Sequence, residues 1–305
     1  MKLTVRLAII LAVFISLSWS KAALGDGPDE REPVLKRSDV YCTGFISDVA
    51  PSTSLKIVGG DRENMQDTYT EGQVVFLNKG REQGIQPGAV YYVIRPLGTV
   101  KHPFTKKRVG HFVRELGTLR VVEVQASTAV AEILVSCDQI LVGDLLKPYE
   151  EQKAPAHREA RPLPRFGEGS GGVNGQIIMS PELREYFSAN NVVYIDLGDR
   201  QGVQSGDYFT IYRKIARNER IAHMPKDNIV QERSRGYQSG HYRGGTFSQE
   251  GSHEPRDKVL RARPEIPRKV LGELIVLKVE NNTAVALITR TTAEVNIGDW
   301  VEKSN

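Results

Sequence analysis

The chain has 305 residues, of which 40% are hydrophobic and 26% charged, the balance of a soluble globular protein long enough for two domains. Its two cysteines exclude a disulfide-dense miniprotein and any metal site that needs four cysteine ligands. The formal net charge of +4 is too small a basic field for a nucleic-acid-binding protein.

The first 22 residues have the order of a secretory signal peptide. Lys2 and Arg6 precede an apolar run of about 13 residues, and small residues follow. That run is shorter than the roughly 20 residues of a membrane-spanning helix. We predict cleavage after Ala22, with cleavage after Gly25 or an uncleaved membrane anchor as alternatives. The mature protein is then periplasmic or secreted, its net charge falls from +4 to +1, and a flexible charged segment (residues 23–39) precedes the first domain.

Two sequence blocks each occur twice. Residues 74–95 match residues 192–213 without a gap, with eight identities over 22 positions. Residues 116–144 match residues 271–299 with twelve identities over 29 positions. Because the blocks keep their order and their glycines, they indicate a duplicated domain.

The repeats set the domain boundaries. We predict a first domain over residues 40–149 and a second over residues 174–303. The stretch between them, residues 150–173, is polar and rich in proline and glycine, which is typical of a linker. A weaker match, between Gly44–Ser47 and Gly175–Ile178, precedes the repeated blocks in both domains.

Both repeats have the pattern of strands. Short runs of β-branched and aromatic residues are bounded by glycines, and each domain offers five or six of them in about 100 residues. The only helix signals are Ser180 as an N-cap and the segment Pro181–Ser188 behind it. We therefore predict an all-β protein of two tandem small barrels of the SH3 or six-strand type, with a two-sheet sandwich as the runner-up. Six glycines are predicted at turns that need positive φ: Gly80, Gly84, Gly88, Gly198, Gly202 and Gly206.

Cys42 and Cys137 both lie in the first domain. In an oxidising compartment such a pair tends to form a disulfide. We predict the Cys42–Cys137 bond, with two buried thiols as the alternative. Thr292 stands in the second domain at the position of Cys137, so the fold does not require the bond.

Polar residues that could carry chemistry have simpler structural interpretations. Asp144 and Asp299 are related by the repeat, but each follows a turn glycine, where an aspartate usually binds nearby backbone amides. His102 and His111 are predicted to be solvated in a hairpin loop. The sequence has no nucleophile, phosphate-loop, dinucleotide or metal-site motif. We therefore predict no catalytic, cofactor or metal residues and no enzymatic activity.

The second domain carries an insertion at about residues 214–269. The repeat offset rises from 118 to 155 between the two blocks, which means 37 extra residues. The insertion has 13 basic and seven acidic residues, a net charge of +6. We interpret it as a disordered, solvated loop. The alternative is a contact arm for an anionic partner such as lipid headgroups, an acidic wall polymer or nucleic acid.

The order of these motifs resembles the β domains that follow LysM modules in bacterial envelope proteins. It is also similar to the C-terminal domain of the flagellar assembly protein T family. The matching residues of the first copy are 78–95, the His-Pro-Phe-Thr of 102–105, 116–124 and 143–144; those of the second are 196–213 and 271–299. The resemblance covers about 200 of the 305 residues, without a visible LysM module. It implies a non-catalytic scaffold or adaptor with no active-site residues.

The sequence therefore predicts an exported cell-envelope scaffold or adaptor that binds a protein assembly. No nucleic-acid partner and no transmembrane segment after signal cleavage are expected. The first alternative is a module that binds peptidoglycan or surface polysaccharide through exposed aromatics, with Tyr91, Tyr92, Tyr208 and Tyr212 as candidates. The second is an enzyme with a site between the domains.

Overall fold

The computed structural model describes residues 42–61, 68–151, 155, 156, 158, 159, 161–215, 264 and 266–304. The predicted signal peptide, the segment 23–39 and most of the insertion therefore lie outside the described residues. The regular secondary structure of the described residues is almost entirely β, as predicted. None of their helices is long and apolar enough to cross a membrane.

Nine strands form the first unit. Three of them are long enough to bend around a core, and one 3₁₀ turn, Arg81–Gln83, follows the fourth strand. The strands are β1 (Phe45–Ser47), β2 (Ile57–Gly60), β3 (Thr68–Tyr69), β4 (Val74–Leu77), β5 (Val90–Lys101), β6 (Arg108–Val124), β7 (Ala129–Ser136), β8 (Ile140–Leu141) and β9 (Leu145–Pro148).

The second unit repeats this series. Its 3₁₀ turn is Asp199–Gln201, in the same place after the fourth strand. The strands are β10 (Phe166–Gly167), β11 (Asn174–Met179), β12 (Tyr186–Phe187), β13 (Val192–Ile195), β14 (Tyr208–Arg213), β15 (Arg268–Val279), β16 (Ala284–Thr291), β17 (Val295–Asn296) and β18 (Trp300–Lys303).

Each unit closes into a six-stranded antiparallel barrel. In the second, the order β11-β13-β16-β15-β14-β18 returns to β11 through ladders on every side. In the first, the order is β2-β4-β7-β6-β5-β9, and an antiparallel bridge between Lys56 and Leu145 joins the ends. Closure pairs the edges of the sheet, which explains why such short strands are stable. The predicted barrel architecture is confirmed.

The two barrel cores use equivalent residues. Side chains that alternate inward along the strands form one fully buried cluster in each barrel. Residues related by the repeat occupy matching places in the two clusters: Leu77 and Ile195, Val93 and Ile211, Leu119 and Leu274, and Ile133 and Ile288.

The weaker sequence match between Gly44–Ser47 and Gly175–Ile178 is wrong. The counterpart of β11 is β2, because Ile57 pairs with Leu77 as Ile177 pairs with Ile195. β1 lies outside the barrel against β6, and its counterpart is β10, which lies against β15. Four residues of strand-like sequence carry too little information to distinguish these places.

The helix predicted at Pro181–Ser188 is also wrong. This segment forms a turn followed by β12, and the Ser180 hydroxyl accepts a hydrogen bond from the backbone of Arg184 inside that turn. Phe187 is buried in the core of the second barrel, and its pairing with Val295 overrides the weak local preference for helix.

The turn glycines have two different roles. Gly84, Gly88, Gly202 and Gly206 adopt positive φ as predicted. Gly80 and its counterpart Gly198 do not; their backbones are extended, with φ of −132° and −144°. A Cβ at Gly80 would lie 2.4 Å from the carbonyl oxygen of Gln125, so glycine is required there by close backbone approach.

We expect Gly80→Ala to lower the free energy of unfolding by about 3 kcal/mol, because backbone atoms of the β6–β7 turn must shift. Gly84→Ala is the matched control: its Cβ would have open space, and only the positive φ of +85° costs about 1 kcal/mol. Urea unfolding of both variants measures the difference. Equal losses would contradict the assignment of Gly80 to close approach.

The described structure contains the predicted disulfide between Cys42 and Cys137, with a sequence separation of 95 residues. It ties the segment before β1 to the end of β7. Removing a cross-link that closes a loop of this length should lower stability by about 2 to 4 kcal/mol. We expect Cys42→Ala/Cys137→Ala to unfold earlier by this amount, and thiol labelling of the unreduced protein to find no free thiol. Two labelled thiols in the folded protein would contradict the bond.

Candidate functional site

The two barrels meet through a long hairpin of the first. Strands β5 and β6 continue beyond their barrel, and we call this outer part, residues 96–113, the arm. The arm and β1 lie on the outer face of β11, β13 and β16. We call this contact the junction.

The centre of the junction is apolar. Phe45 and Phe112 of the first unit share one buried cluster with Ile178, Tyr194 and Val285 of the second. The rings of Phe112 and Tyr194 are edge-on at 5.7 Å between centroids. Tyr194 is 0% exposed although it points outward from its own barrel. The burial of this ring alone requires that the first unit be docked.

Two hydroxyls of the second barrel bind backbone of the first. The Tyr194 hydroxyl donates to the Thr43 carbonyl oxygen at 2.5 Å, and the Thr283 hydroxyl donates to the Ile46 carbonyl oxygen at 2.8 Å. Burial, reinforced by the nearby charge of Glu115, raises the pKa of Tyr194 well above its usual range. The hydroxyl therefore stays protonated and remains a donor. These bonds fix the register of the segment around β1 on the second barrel.

A buried ion pair crosses the junction. The Lys278 ammonium lies 2.5 Å from a Glu115 oxygen, and both side chains are less than a tenth exposed. The other Glu115 oxygen accepts a hydrogen bond from the Gly44 backbone at 3.1 Å. The Lys278 ammonium also lies 5.4 Å from the centre of the Phe45 ring. Each charge is thus compensated by the opposite unit, so removing one partner while the barrels stay docked would leave a buried charge without its counter-charge.

The tip of the arm also contacts the second barrel. His102, predicted to be a solvated loop residue, is instead buried, with Nε2 3.2 Å from an Asp196 carboxylate oxygen. Its Nδ1 accepts backbone hydrogen bonds from Phe104 and Thr105, so the proton lies on Nε2, which donates to Asp196. The Phe104 ring covers Gly298, where a Cβ would lie 2.1 Å from the ring. His111 is half-buried on β6, with Nε2 2.5 Å from an Arg108 guanidinium nitrogen.

A groove of about 250 Å³ runs along one side of the junction. Phe45, Leu146 and Lys147 of the first unit and Glu280 of the second are among its lining residues. Burial raises the pKa of Glu280 above its usual value, although Lys147 and Lys278 oppose the shift. This is the cleft that an enzyme between the domains would need. Its serines bind within their own loop: Ser47 accepts from the Val49 backbone, and Ser52 bonds Ser54.

The repeat-related aspartates stabilise turns. Asp144 accepts a hydrogen bond from the Leu141 backbone and Asp299 one from the Asn296 backbone, each at 2.7 Å, which confirms their predicted role. Each also accepts two hydrogen bonds from one guanidinium group, through Nε and an Nη, of Arg95 for Asp144 and of Arg213 for Asp299. The hydrogen bond to Asp299 raises the pKa of Arg213. Sequence reasoning missed these pairs, although both arginines were identical in the repeat.

The described part of the predicted linker packs on the second barrel. The Arg158 guanidinium lies 3.9 Å from the centre of the Tyr208 ring and pairs with Glu273. Further on, the backbones of Ser170 and Gly171 donate to the Glu302 carboxylate. We call these residues, between 155 and 172, the strap. Through these contacts the described residues of the strap pack against β14, β15 and β18.

The four tyrosines that were candidates for a glycan platform all pack against neighbouring residues. Tyr208 and Tyr212 are buried, at 8% and 3% exposed, and arginines stack on both rings. Tyr92 is 2% exposed in the junction, and Tyr91 packs against the first core. These four residues therefore do not form an exposed aromatic face.

We expect Glu302→Gln to lower stability by about 1 to 3 kcal/mol at neutral pH, because Arg268 and the strap amides lose a charged acceptor. Burial opposes ionisation, but hydrogen bonds from Arg268 and Ser170 outweigh it and lower the pKa of Glu302 below 4.5. Its contribution is present above that pH and is lost as the pH falls through the lower, folded pKa. Urea unfolding across this range should show the difference shrinking. A difference that does not change with pH would contradict the assignment, and the exposed Glu82→Gln serves as control.

Among the described residues, no three His, Cys, Asp or Glu side chains are grouped so that they could hold a metal ion. No protein-family model matches the chain, and no curated protein matches it significantly.

Proposed function

We propose that this protein is a non-catalytic scaffold or adaptor of the cell envelope, built from duplicated β barrels, that binds a protein assembly. The observation that carries the proposal is the junction. A hairpin extended from one barrel covers an apolar face of the next, and its buried polar groups are used in that contact. A contact of this kind fixes the distance between neighbouring barrels, which is the property that a scaffold needs.

The polar groups of the junction favour a structural role. Glu115 and Lys278 bind each other across the junction, and one Asp196 oxygen lies within hydrogen-bond distance of His102 of the other unit. A catalytic site keeps at least one titratable group accessible to a reacting atom. The signal-like N-terminus and the resemblance to LysM-associated and flagellar assembly domains support an exported location in the envelope.

The groove beside the junction favours a second candidate, an enzyme with an interdomain site. It brings Lys147 of the first unit within the same cavity as Glu280 of the second. A burial-raised pKa at Glu280 is a feature of functional carboxylates. Turnover of an envelope substrate that is lost in Glu280→Gln, with folding intact, would favour this candidate over the scaffold.

The experiment that tests the scaffold proposal is cross-linking in native envelopes. The tagged full-length chain is expressed in the organism that encodes it, cross-linked, purified under denaturing conditions and analysed for what remains attached. A tag-only protein exported to the same compartment is the control. One or two proteins in stoichiometric yield are expected. Glycan strands without a protein would contradict the proposal in favour of wall binding, and the absence of both would contradict either binding role.

A further inference from the structure

The arm carries positive charge only. Its residues, 96–113, include four lysine and arginine side chains and no aspartate or glutamate, in a chain whose 41 basic and 37 acidic residues are otherwise nearly balanced. All four cations are exposed: Lys101, Lys106, Lys107 and Arg108. The arm is therefore a local concentration of positive charge that is open to solvent.

The strand register places these cations on the side of the arm that faces away from the second barrel. Lys101 is directly opposite Arg108 in the β5–β6 ladder, and Thr99 is directly opposite His111. A hydrogen bond from Arg108 Nη2 to His111 Nε2 shows that the two pairs share one side of the sheet. Val100, 9% exposed, points to the other side, into the apolar centre of the junction. We call the outer side, with the turn at its end, the basic face: Lys101, Lys106, Lys107 and Arg108.

The charges of the basic face are not neutralised within the described part of the chain. No carboxylate oxygen there lies within 4 Å of any of the four cations. Asp48, directly after β1, binds Asn281 and Arg200 of the second barrel instead. Like charges that are directly opposite in a ladder repel each other and destabilise it. The Lys101–Arg108 pair thus carries a repulsion that an external anion would relieve.

The tip of the arm holds its cations in defined positions. The His102 backbone donates to the Lys107 carbonyl oxygen at 2.8 Å, and the Lys106 backbone donates to the His102 carbonyl oxygen at 3.0 Å. The Lys106 ammonium donates to the Pro103 carbonyl oxygen at 2.7 Å. Because His102 and Phe104 bind the second barrel from the other side of the tip, the basic face has a fixed place on the molecule.

The shape of the basic face favours an extended anionic surface as its ligand. The cations project from a sheet surface and a turn rather than converging on a cavity, and the groove beside the junction has no lining residue from the arm. The two phenylalanine rings of the arm, Phe104 and Phe112, are packed against the second barrel, so neither can stack on the bases of a nucleic acid. Separate positive charges on flexible side chains suit the many phosphates of a lipid surface.

We propose that the basic face binds the phosphate groups of an anionic lipid surface, with the arm between the membrane and the second barrel. Each lysine or arginine close to such a surface strengthens binding about five-fold, so four together give a reversible attachment. This contact goes beyond the proposed function, since it needs no protein partner. It determines which side of the scaffold faces the membrane.

Two variants with the same net charge separate the basic face from charge in general. The arm variant, Lys101→Gln/Lys107→Gln/Arg108→Gln, removes three of the four cations at exposed positions. The control removes three exposed cations outside the arm: Lys56→Gln/Arg120→Gln/Arg184→Gln. Both variants keep the insertion with its net charge of +6, so the insertion cannot explain a difference between them. Circular dichroism checks that both are folded.

The test is co-sedimentation with vesicles, using the chain from residue 23 onward so that the predicted signal peptide does not itself insert. The vesicles contain phosphatidylcholine alone or phosphatidylcholine and phosphatidylglycerol in equal parts. The wild type and the control should bind the mixed vesicles and not the uncharged ones, and binding should weaken as salt is added. The arm variant should bind the mixed vesicles at least about 30-fold more weakly.

Four results would overturn the proposal. The wild type binds neither kind of vesicle, or binds both equally. The arm variant binds like the wild type, or the control loses as much binding as the arm variant. Inorganic phosphate displaces the wild type more strongly than chloride at equal ionic strength, which would make the basic face a site for a soluble anion. Single-stranded DNA binds the wild type more tightly than the vesicles do. None of these results decides whether the chain has a protein partner, which the cross-linking experiment tests separately.

Discussion

Replacing Lys278 by methionine is expected to lower the free energy of unfolding by about 3 to 5 kcal/mol. The substitution keeps the side-chain volume but leaves the Glu115 carboxylate, 3% exposed, facing an apolar wall without its counter-charge. Guanidinium unfolding followed by the fluorescence of Trp300, the one tryptophan outside the predicted signal peptide, measures the loss.

The double variant Glu115→Leu/Lys278→Met is the control for this prediction. It removes both charges, so most of the loss should be recovered, because well-packed apolar residues often replace a buried ion pair without cost. If Lys278→Met alone costs less than about 1 kcal/mol, the carboxylate is reached by water and the two barrels are not docked as described.

Tyr194→Ala is expected to cost about 3 to 5 kcal/mol, because it opens a cavity in the junction and removes the hydrogen bond to the Thr43 carbonyl. The duplication supplies a matched control at the equivalent strand position. Phe76→Ala removes a ring that is only half-buried on the outside of the first barrel and should cost about 1 to 2 kcal/mol.

Both variants are compared at the same protein concentration. The two losses of stability can be compared because β13 and β4 occupy equivalent places in their barrels. β13 lies between β11 and β16, and β4 lies between the matching strands β2 and β7. Equal losses at the two positions would mean that Tyr194 is stabilised by its own barrel rather than by the arm.

Much of the fold could be predicted from the sequence because it repeats. Two blocks with the same glycines in the same order indicate one architecture used twice, and short strands that must protect their edges favour closed barrels. The Cys42–Cys137 bond was predicted from residue count and compartment. Asp144 and Asp299 were understood because an aspartate after a turn glycine has few other local roles.

The junction could not be predicted, because its ion pair lies at positions at which the copies differ. Lys278 stands opposite Glu123 in the repeat and Glu115 opposite Val270, so neither half of the ion pair appears in the shared pattern. A single sequence does not say which distant positions meet. The same reason explains His102: from its local sequence it is a hairpin residue, and only the second barrel buries it.

The misplacement of β1 had a different cause. Its residues Phe45 and Ile46 look like a barrel strand because they are apolar, but they serve the junction rather than the barrel interior. An apolar strand without a counterpart in the repeated blocks was therefore the available signal of a docking surface. The sequence match instead paired this strand with a strand of the second barrel.

If the arm holds the two barrels as one rigid body, the distance between points on the two barrels is fixed. Spin labels at Glu82→Cys and Glu182→Cys, both exposed and one on each barrel, measure the distance between them by pulsed electron resonance. The native cysteines are bonded to each other and stay unlabelled. We predict one narrow distance distribution that broadens when Tyr194→Ala is added. A broad distribution in the otherwise unchanged protein would mean that the barrels move independently, and would contradict the account.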